Sequence, residues 1–129
     1  GFDEGLAHLI EAGADLFLMP SQFEPCGLNQ MYSLRYGTVP VVRRTGGLAD
    51  TVRDEKEGAK SNGFVFDDYT PAALRETLVR ALGVYQDGKR WLRLQRAGMG
   101  LDHSWDRSAR EYVKIYERAI SKGDRNGSR

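Results

Sequence analysis

Only one cysteine, Cys26, occurs in the 129 residues, so no disulfide can close within the chain, and no CxxC or Cys/His spacing of the zinc type is present. That usage points to a reducing, intracellular setting. No stretch approaches the roughly 20 apolar residues of a membrane span, and no basic, then apolar, leader precedes the first helical segment. An excess of charge of one sign is missing too: 19 basic against 18 acidic side chains leave +1, too little to draw nucleic acid, a membrane surface or an acidic partner. No DxD occurs, and the Asp67-Asp68 pair stands in another loop ahead of a helix, so a metal-dependent diphosphate site lacks its ligands. A starting methionine is absent as well. The chain opens on Gly1 and passes at once into helical periodicity, which reads as a piece cut from something longer.

What is present is enough apolar residue, 40% of the total, to bury a core of one domain or less. Residues 4–12 place Leu6, Leu9 and Ile10 at helical spacing, with Gly13 as a left-handed stop. Asp15 to Met19 is a short apolar run without polar alternation, the pattern of a parallel strand covered on both faces. A helix over about Leu28 to Tyr36 follows, ended by Gly37, and Thr38 to Val42 reads as a second strand. Pro40 argues against a central ladder position there.

After a Thr45-Gly46-Gly47 turn, the charged residues 54–62 read as a surface loop. Gly63 to Phe66 is a third strand. Thr70-Pro71 is a hydroxyl cap with proline at the first helical position, ahead of Leu74, Leu78 and Leu82. Residues 89–99 are helical again. Ser104 caps a last helix with Trp105, Ala109, Tyr112, Val113, Tyr116 and Ile120 on one face, and residues 121–129 lack apolar side chains and read as a disordered tail. The order of elements is that of an α/β layer with a parallel sheet, and three strands amount to part of a Rossmann-like domain. Residues 1–103 form that partial domain and 104–120 a closing helix.

Ligands of open parallel sheets bind beyond the carboxyl ends of the strands. Here those are the loops after Met19 and after Val42. The helix starting near Gly27 carries unpaired N–H groups and a partial positive charge that suit a phosphate oxygen, and Gly27 lets a ligand approach the backbone. Glu24 reads either as an ordinary surface acid or as an acceptor for neutral hydroxyls, since a carboxylate beside a phosphate would be repelled by it. The second reading describes a sugar joined to a phosphate. Cys26 reads as a wall of the pocket or as a reactive thiol near a helix start. His8 and His103 read as structural or surface residues. The Arg43-Arg44 pair could neutralise phosphate or be simply solvated.

The run FEPCGLNQMYSLRYGTVPVVRRTGGLADTV resembles the donor-site region of bacterial glycogen synthases and plant starch synthases, the ADP-glucose-dependent glucosyltransferases that elongate α-1,4-glucan. GFDEGLAHLIEAGADLFLMPS resembles the segment before it. Ser104-Trp105 with Ala109, Tyr112 and Tyr116 resembles the family's closing helix.

The resemblance implies the later part of the C-terminal, donor-binding half of a GT-B architecture. Glu24 would be the catalytic carboxylate that holds a glucose hydroxyl and steadies the oxocarbenium-like sugar. The N–H groups of Gly27, Leu28 and Asn29 would receive the diphosphate. Cys26 would line the sugar pocket, and Thr45, Gly46 and Gly47 would close its far side. Phe2 falls where the family has a tyrosine stacking on the nucleobase. Many retaining transferases of this fold have a second glutamate eight positions after the first; here that position is Tyr32, and the glycogen and starch synthase branch resembles this chain in lacking that glutamate.

The family's lysine-glycine loop, its acceptor domain and a basic pair gripping the diphosphate would lie upstream of Gly1, as a missing N-terminal domain of the parent chain. The implied reaction transfers glucose from ADP-glucose to the non-reducing end of an α-1,4-glucan with retention, without metal or cofactor, in the bacterial cytoplasm or a plastid stroma. On this reading the chain alone is inactive and exposes apolar edges. The rival readings are another retaining GT-B nucleotide-sugar transferase and a non-catalytic, truncated module that binds glucan or a partner.

Overall fold

The computed structural model describes Gly1 and residues 3–126, with side chains as far as Ser121. Ten helical or extended segments follow one another: α1 (Glu4–Gly13), β1 (Leu16–Met19), α2 (Asn29–Tyr36), β2 (Val39–Arg43), α3 (Gly46–Thr51), a 3-10 turn (Glu55–Glu57), β3 (Phe64–Phe66), α4 (Pro71–Tyr85), α5 (Gly88–Met99) and α6 (Trp105–Asn126). The strands form one parallel sheet in the order β1-β2-β3. Leu16 stands opposite Val39, and Val41 opposite Phe64.

β2 is therefore the central strand, and Pro40 lies within it. The Val39 N–H donates to the Asp15 carbonyl on the β1 side. N–H directions alternate along a strand, so the proton that Pro40 lacks would point to the other side, where pairing with β3 begins only at Val41. The proline costs the ladder nothing.

The same alternation divides the core. Val39, Val41 and Phe64 pack with Ala81, Val84, Trp91 and Leu94 of α4 and α5 on one side. Val42 and Val65 pack with Leu48 and Val52 on the other. A strand buried on both sides has no polar alternation, and β2 has none. Gly37 ends α2 with φ +82, its N–H returning to the Leu34 carbonyl. Gly13, by contrast, is the last residue of α1, which ends in an extended Ala14 rather than a left-handed stop.

On α4 the packed residues are Thr77, Ala81 and Val84, with Leu74 and Leu78 half-buried, while Leu82 turns outward. The helix starts as expected, with the Thr70 hydroxyl accepting from the Ala73 N–H and Pro71 following. Thr70→Ala removes that cap and is expected to lower stability by about 1 kcal/mol, read as a small fall in Tm with unchanged secondary structure content.

Two further expectations change. Residues 54–62 are a surface loop only in their middle: residues 56–60 are exposed, but Asp54, Glu55, Ser61 and Asn62 at the two ends are buried. The charges are neutralised internally, because Arg80 of α4 grips Asp54 through two hydrogen bonds of 2.9 and 2.7 Å. The second change concerns the carboxyl end. α6 continues to Asn126, so residues 121–126 are helical where a disordered tail is expected from composition. An established helix propagates at little cost through lysine, arginine and aspartate, even though Gly123 is unfavourable. Residues 127–129 of the expected tail lie outside the described residues.

The Ser104 hydroxyl accepts from the Arg107 N–H at the start of α6. The apolar face of α6 nevertheless stands largely open: Trp105 is 89% exposed, and Tyr112, Val113, Tyr116 and Ile120 are all more than half exposed. Leu6, Leu9 and Ile10 of α1 are similarly open. No helix of the described residues is long and apolar enough to cross a membrane.

Candidate functional site

The loop from Pro20 to Leu28 leaves the carboxyl end of β1 and delivers the chain into α2. Beside it, β2 ends at Arg43 and the chain turns through Thr45 into α3. The two connections touch along their backbones. The Gly47 N–H donates to the carbonyls of Glu24 and Pro25, both at 3.2 Å. A Cβ on Gly46 would lie 1.9 Å from the Glu24 carbonyl oxygen, and one on Gly47 would lie 2.0 Å from that of Cys26. The Gly-Gly pair is thus required by the close approach of a second backbone. The expected turn is in fact the first turn of a short helix, α3, whose lead residue Thr45 provides no side-chain cap.

Glu24, Cys26, Gly27, Leu28, Asn29, Thr45, Gly46 and Gly47 are therefore gathered at one place on the carboxyl edge of the sheet. The remaining expected residue, Phe2, lies outside the described residues. The Glu24 side chain is half-buried, accepts a long 3.4 Å hydrogen bond from the Ser21 hydroxyl, and pairs with no cation among the described residues. It is free to accept from a ligand. Cys26 is an exposed thiol.

α2 opens without a side-chain cap, and no protein acceptor is present among the described residues for the N–H groups of Gly27, Leu28 and Asn29. Unpaired N–H groups at a helix start form a ready anion site. Gly27 adopts φ +70, which turns the chain sharply into that helix.

Two residues that sequence reasoning missed hold the loop from within. Gln30 is fully buried, and its Nε2 donates to the carbonyls of Cys26 and Gly27 and to the Thr51 hydroxyl. Thr51 Oγ1 in turn donates to the Gly47 carbonyl at 2.7 Å. The available signal was a glutamine on the inward face of α2, where an apolar residue would be ordinary.

Arg43 and Arg44 are not directed at the anion site. Arg43 donates to the carbonyls of Gln22 and Asp67 and stacks over Tyr69. It braces the other flank of the Glu24 loop. Arg44 pairs with Asp67 and Glu57. His8 shares a hydrogen bond with the Tyr36 hydroxyl and lies edge-on to Tyr32 and Tyr36, bridging α1 and α2. Burial lowers the pKa of His103, and the Arg107 charge acts in the same direction. Neither histidine hydrogen-bonds Cys26.

A wide concavity of about 1260 Å³ lies elsewhere, between α2 and the α5–α6 connection, and shares only Leu28 with the gathered residues. Its volume reflects the stand-off of α6, whose Trp105, Tyr112 and Ile115 form one wall. The Glu24 region is the better candidate, because convergent polar groups rather than volume define a site for a charged ligand.

The profile of the family described as glycosyl transferases group 1 matches residues 1–91. The glycogen synthase of Anaeromyxobacter sp. (strain K) is 65% identical over 116 residues, covering 90% of this chain and 24% of that protein. The glycogen synthase of Dechloromonas aromatica (strain RCB) is 60% identical over 125 residues, covering 94% of this chain and 26% of its own length. The chain thus spans about a quarter of the curated relatives it matches. Among solved structures, the catalytic domain of starch synthase IV from Arabidopsis thaliana, bound to ADP and acarbose, superposes with a TM-score of 0.84 at 42% identity, over 94% of this chain and 26% of that one. Sucrose-phosphate synthase from Thermosynechococcus elongatus shares the fold, with a TM-score of 0.67 at 22% identity.

Proposed function

The chain belongs to the glycosyl transferases group 1 family, and from that premise we propose that it is the donor-binding part of a glycogen or starch synthase. The complete enzyme would move glucose from ADP-glucose to the non-reducing end of an α-1,4-glucan with retention. The observation that carries this reading is the junction of the Glu24–Gly27 loop with Gly46-Gly47 beside the uncapped start of α2. One carboxylate and a row of free N–H groups then face the same space. The N–H groups suit the diphosphate, and Glu24, which a phosphate would repel, suits the hydroxyls of the attached sugar. The identity to glycogen synthases and the likeness to a starch synthase bound to ADP support the same chemistry.

In this reading Cys26 lines the sugar pocket and Thr45 closes it, while Phe2 stacks on the base. The leaving diphosphate is met by the helix start and by basic side chains of the remainder of the enzyme rather than by a metal ion. The glycogen synthases named above are bacterial, which supports the bacterial cytoplasm over a plastid stroma as the setting.

The test is a donor screen on the complete protein with glycogen as acceptor. Radiolabelled glucose is expected to enter glycogen from ADP-glucose and to be released by an α-1,4-specific hydrolase. Incorporation from another nucleotide sugar in preference, or none at all, would overturn the reading. The 129-residue chain alone is expected to incorporate no label, because the acceptor and most of the charge that stabilises the leaving group are then missing.

A further inference from the structure

We propose that Gln30 is a positioning residue for the donor site, acting through the backbone it holds rather than by touching the ligand. The inference rests on the nucleotide-sugar reading above. A trans peptide sets the carbonyl of one residue opposite in direction to the N–H of the next. Gln30 Nε2 draws the Cys26 carbonyl inward at 3.2 Å and the Gly27 carbonyl inward at 2.9 Å. The N–H groups of Gly27 and Leu28 are thereby turned outward, toward the space at the head of α2. The same nitrogen donates to Thr51 Oγ1 at 3.1 Å, and Thr51 donates on to the Gly47 carbonyl. One amide therefore fixes both the direction of the donors and the distance between the two connections.

Two observations argue that this is more than packing. Gln30 is fully buried, yet its Oε1 has no hydrogen-bond partner among the described residues. A half-satisfied buried amide carries a desolvation cost of its own, so its place is explained by the bonds that Nε2 makes to the loop and to Thr51 rather than by packing. In addition, a Cβ on Gly27 would lie 2.4 Å from that oxygen, so loop and side chain fit only as a pair.

The experiment uses the complete protein and two variants, Gln30→Glu and Gln30→Met. Glutamate keeps the shape and places an oxygen against two carbonyl oxygens. Methionine fills the space without a donor and keeps the test alive if the charged variant fails to fold. Both are expected to raise the ADP Kd and the ADP-glucose KM by roughly tenfold or more, the loss that follows when a charge-assisted hydrogen bond is misaimed. The KM for a maltooligosaccharide acceptor should stay within about twofold, because a loss of folded enzyme lowers apparent kcat and leaves KM unchanged. Gln95→Glu serves as the control. Gln95 donates to the Gly37 carbonyl at the far end of α2, and its replacement should leave ADP affinity unaltered.

Hydrogen exchange of the Gly47, Met31 and Tyr32 amides, which donate to the Glu24, Pro25 and Leu28 carbonyls, measured without ligand, separates the role of Gln30 in the loop from the nucleotide reading. It is expected to accelerate in both Gln30 variants. Unchanged exchange together with unchanged ADP affinity would overturn the role of Gln30. Faster exchange in a protein whose wild type binds no ADP would retain that role for the loop and overturn the nucleotide reading instead.

Discussion

Glu24→Gln in the complete enzyme is expected to lower kcat by roughly two to three powers of ten and to raise the donor KM far less, as when an interaction made mainly in the transition state is removed. Glutamine has the same shape and keeps an acceptor oxygen for a sugar hydroxyl, so the ground-state complex survives. On the proposed reading, what is lost is the negative charge beside a ring carbon that would turn positive as ADP leaves. The loop itself should stay in place, because it is held through main-chain atoms: the Gly47 N–H donates to the Glu24 carbonyl, and Arg43 donates to that of Gln22. Since, among the described residues, the carboxylate makes only one long hydrogen bond, from Ser21, its charge is not spent there on a structural ion pair. Steady-state kinetics with ADP-glucose and glycogen check the expectation, and near-normal turnover would remove Glu24 from the mechanism.

The part of this site that can be read along the chain is the part built from near neighbours. Glu24, Gly27 and the start of α2 lie within a few residues of one another, and glycine followed by helical periodicity has a local physical meaning. The Gly46-Gly47 turn is legible for the same reason, although its purpose, contact with the Glu24–Cys26 backbone, is a matter of two strands lying side by side. Gln30 and Thr51 are illegible because their hydrogen bond joins positions 21 residues apart. Arg43 and Arg44 misled for the opposite reason. Their place at a strand end suits phosphate, but Gln22, Glu57 and Asp67 already occupy them.

The fold divides along the same line. Unalternating apolar runs gave the three parallel strands, and Gly37 and Thr70-Pro71 gave the ends of α2 and α4. The apolar faces of α1 and α6 are periodic as expected, yet they are exposed, because periodicity says which residues share a face and not what covers it. The ends of the segment 54–62 are the clearest departure. A run of acidic, basic and glycine residues has the composition of a solvated loop, and only partners on α4 and α5 reveal that Asp54 and Glu55 are interior.

That interior acid gives the largest stability effect expected in the chain. Asp54 accepts hydrogen bonds from the N–H groups of Val65 and Lys56 and two from the Arg80 guanidinium. Arg80 also lies over the Phe64 ring at 5.1 Å. Asp54→Ala leaves a largely buried guanidinium and the buried Val65 N–H without their acceptor, and is expected to cost about 3 kcal/mol or more. Thermal unfolding should show a fall in Tm of roughly 10 °C. Arg80→Met added to Asp54→Ala should cost less than Arg80→Met alone, since the stranded charge is then gone. Burial by itself would raise the Asp54 carboxyl, but the Arg80 hydrogen bonds and charge, with the two backbone N–H groups, outweigh it and hold the carboxyl below its ordinary value of 3.8. A carboxyl lowered in the folded state stabilises fully above its unfolded value, and that contribution is lost as pH falls through the folded one. Acid unfolding should therefore steepen below pH 3.8 in the wild type and lose that component in Asp54→Asn. The Arg90 and Arg93 contacts to Glu55 involve half-exposed guanidinium groups, so Arg93→Ala should move Tm by far less than the Asp54 change. Equal effects at Arg93 and Asp54 would contradict a brace centred on the buried Asp54–Arg80 pair.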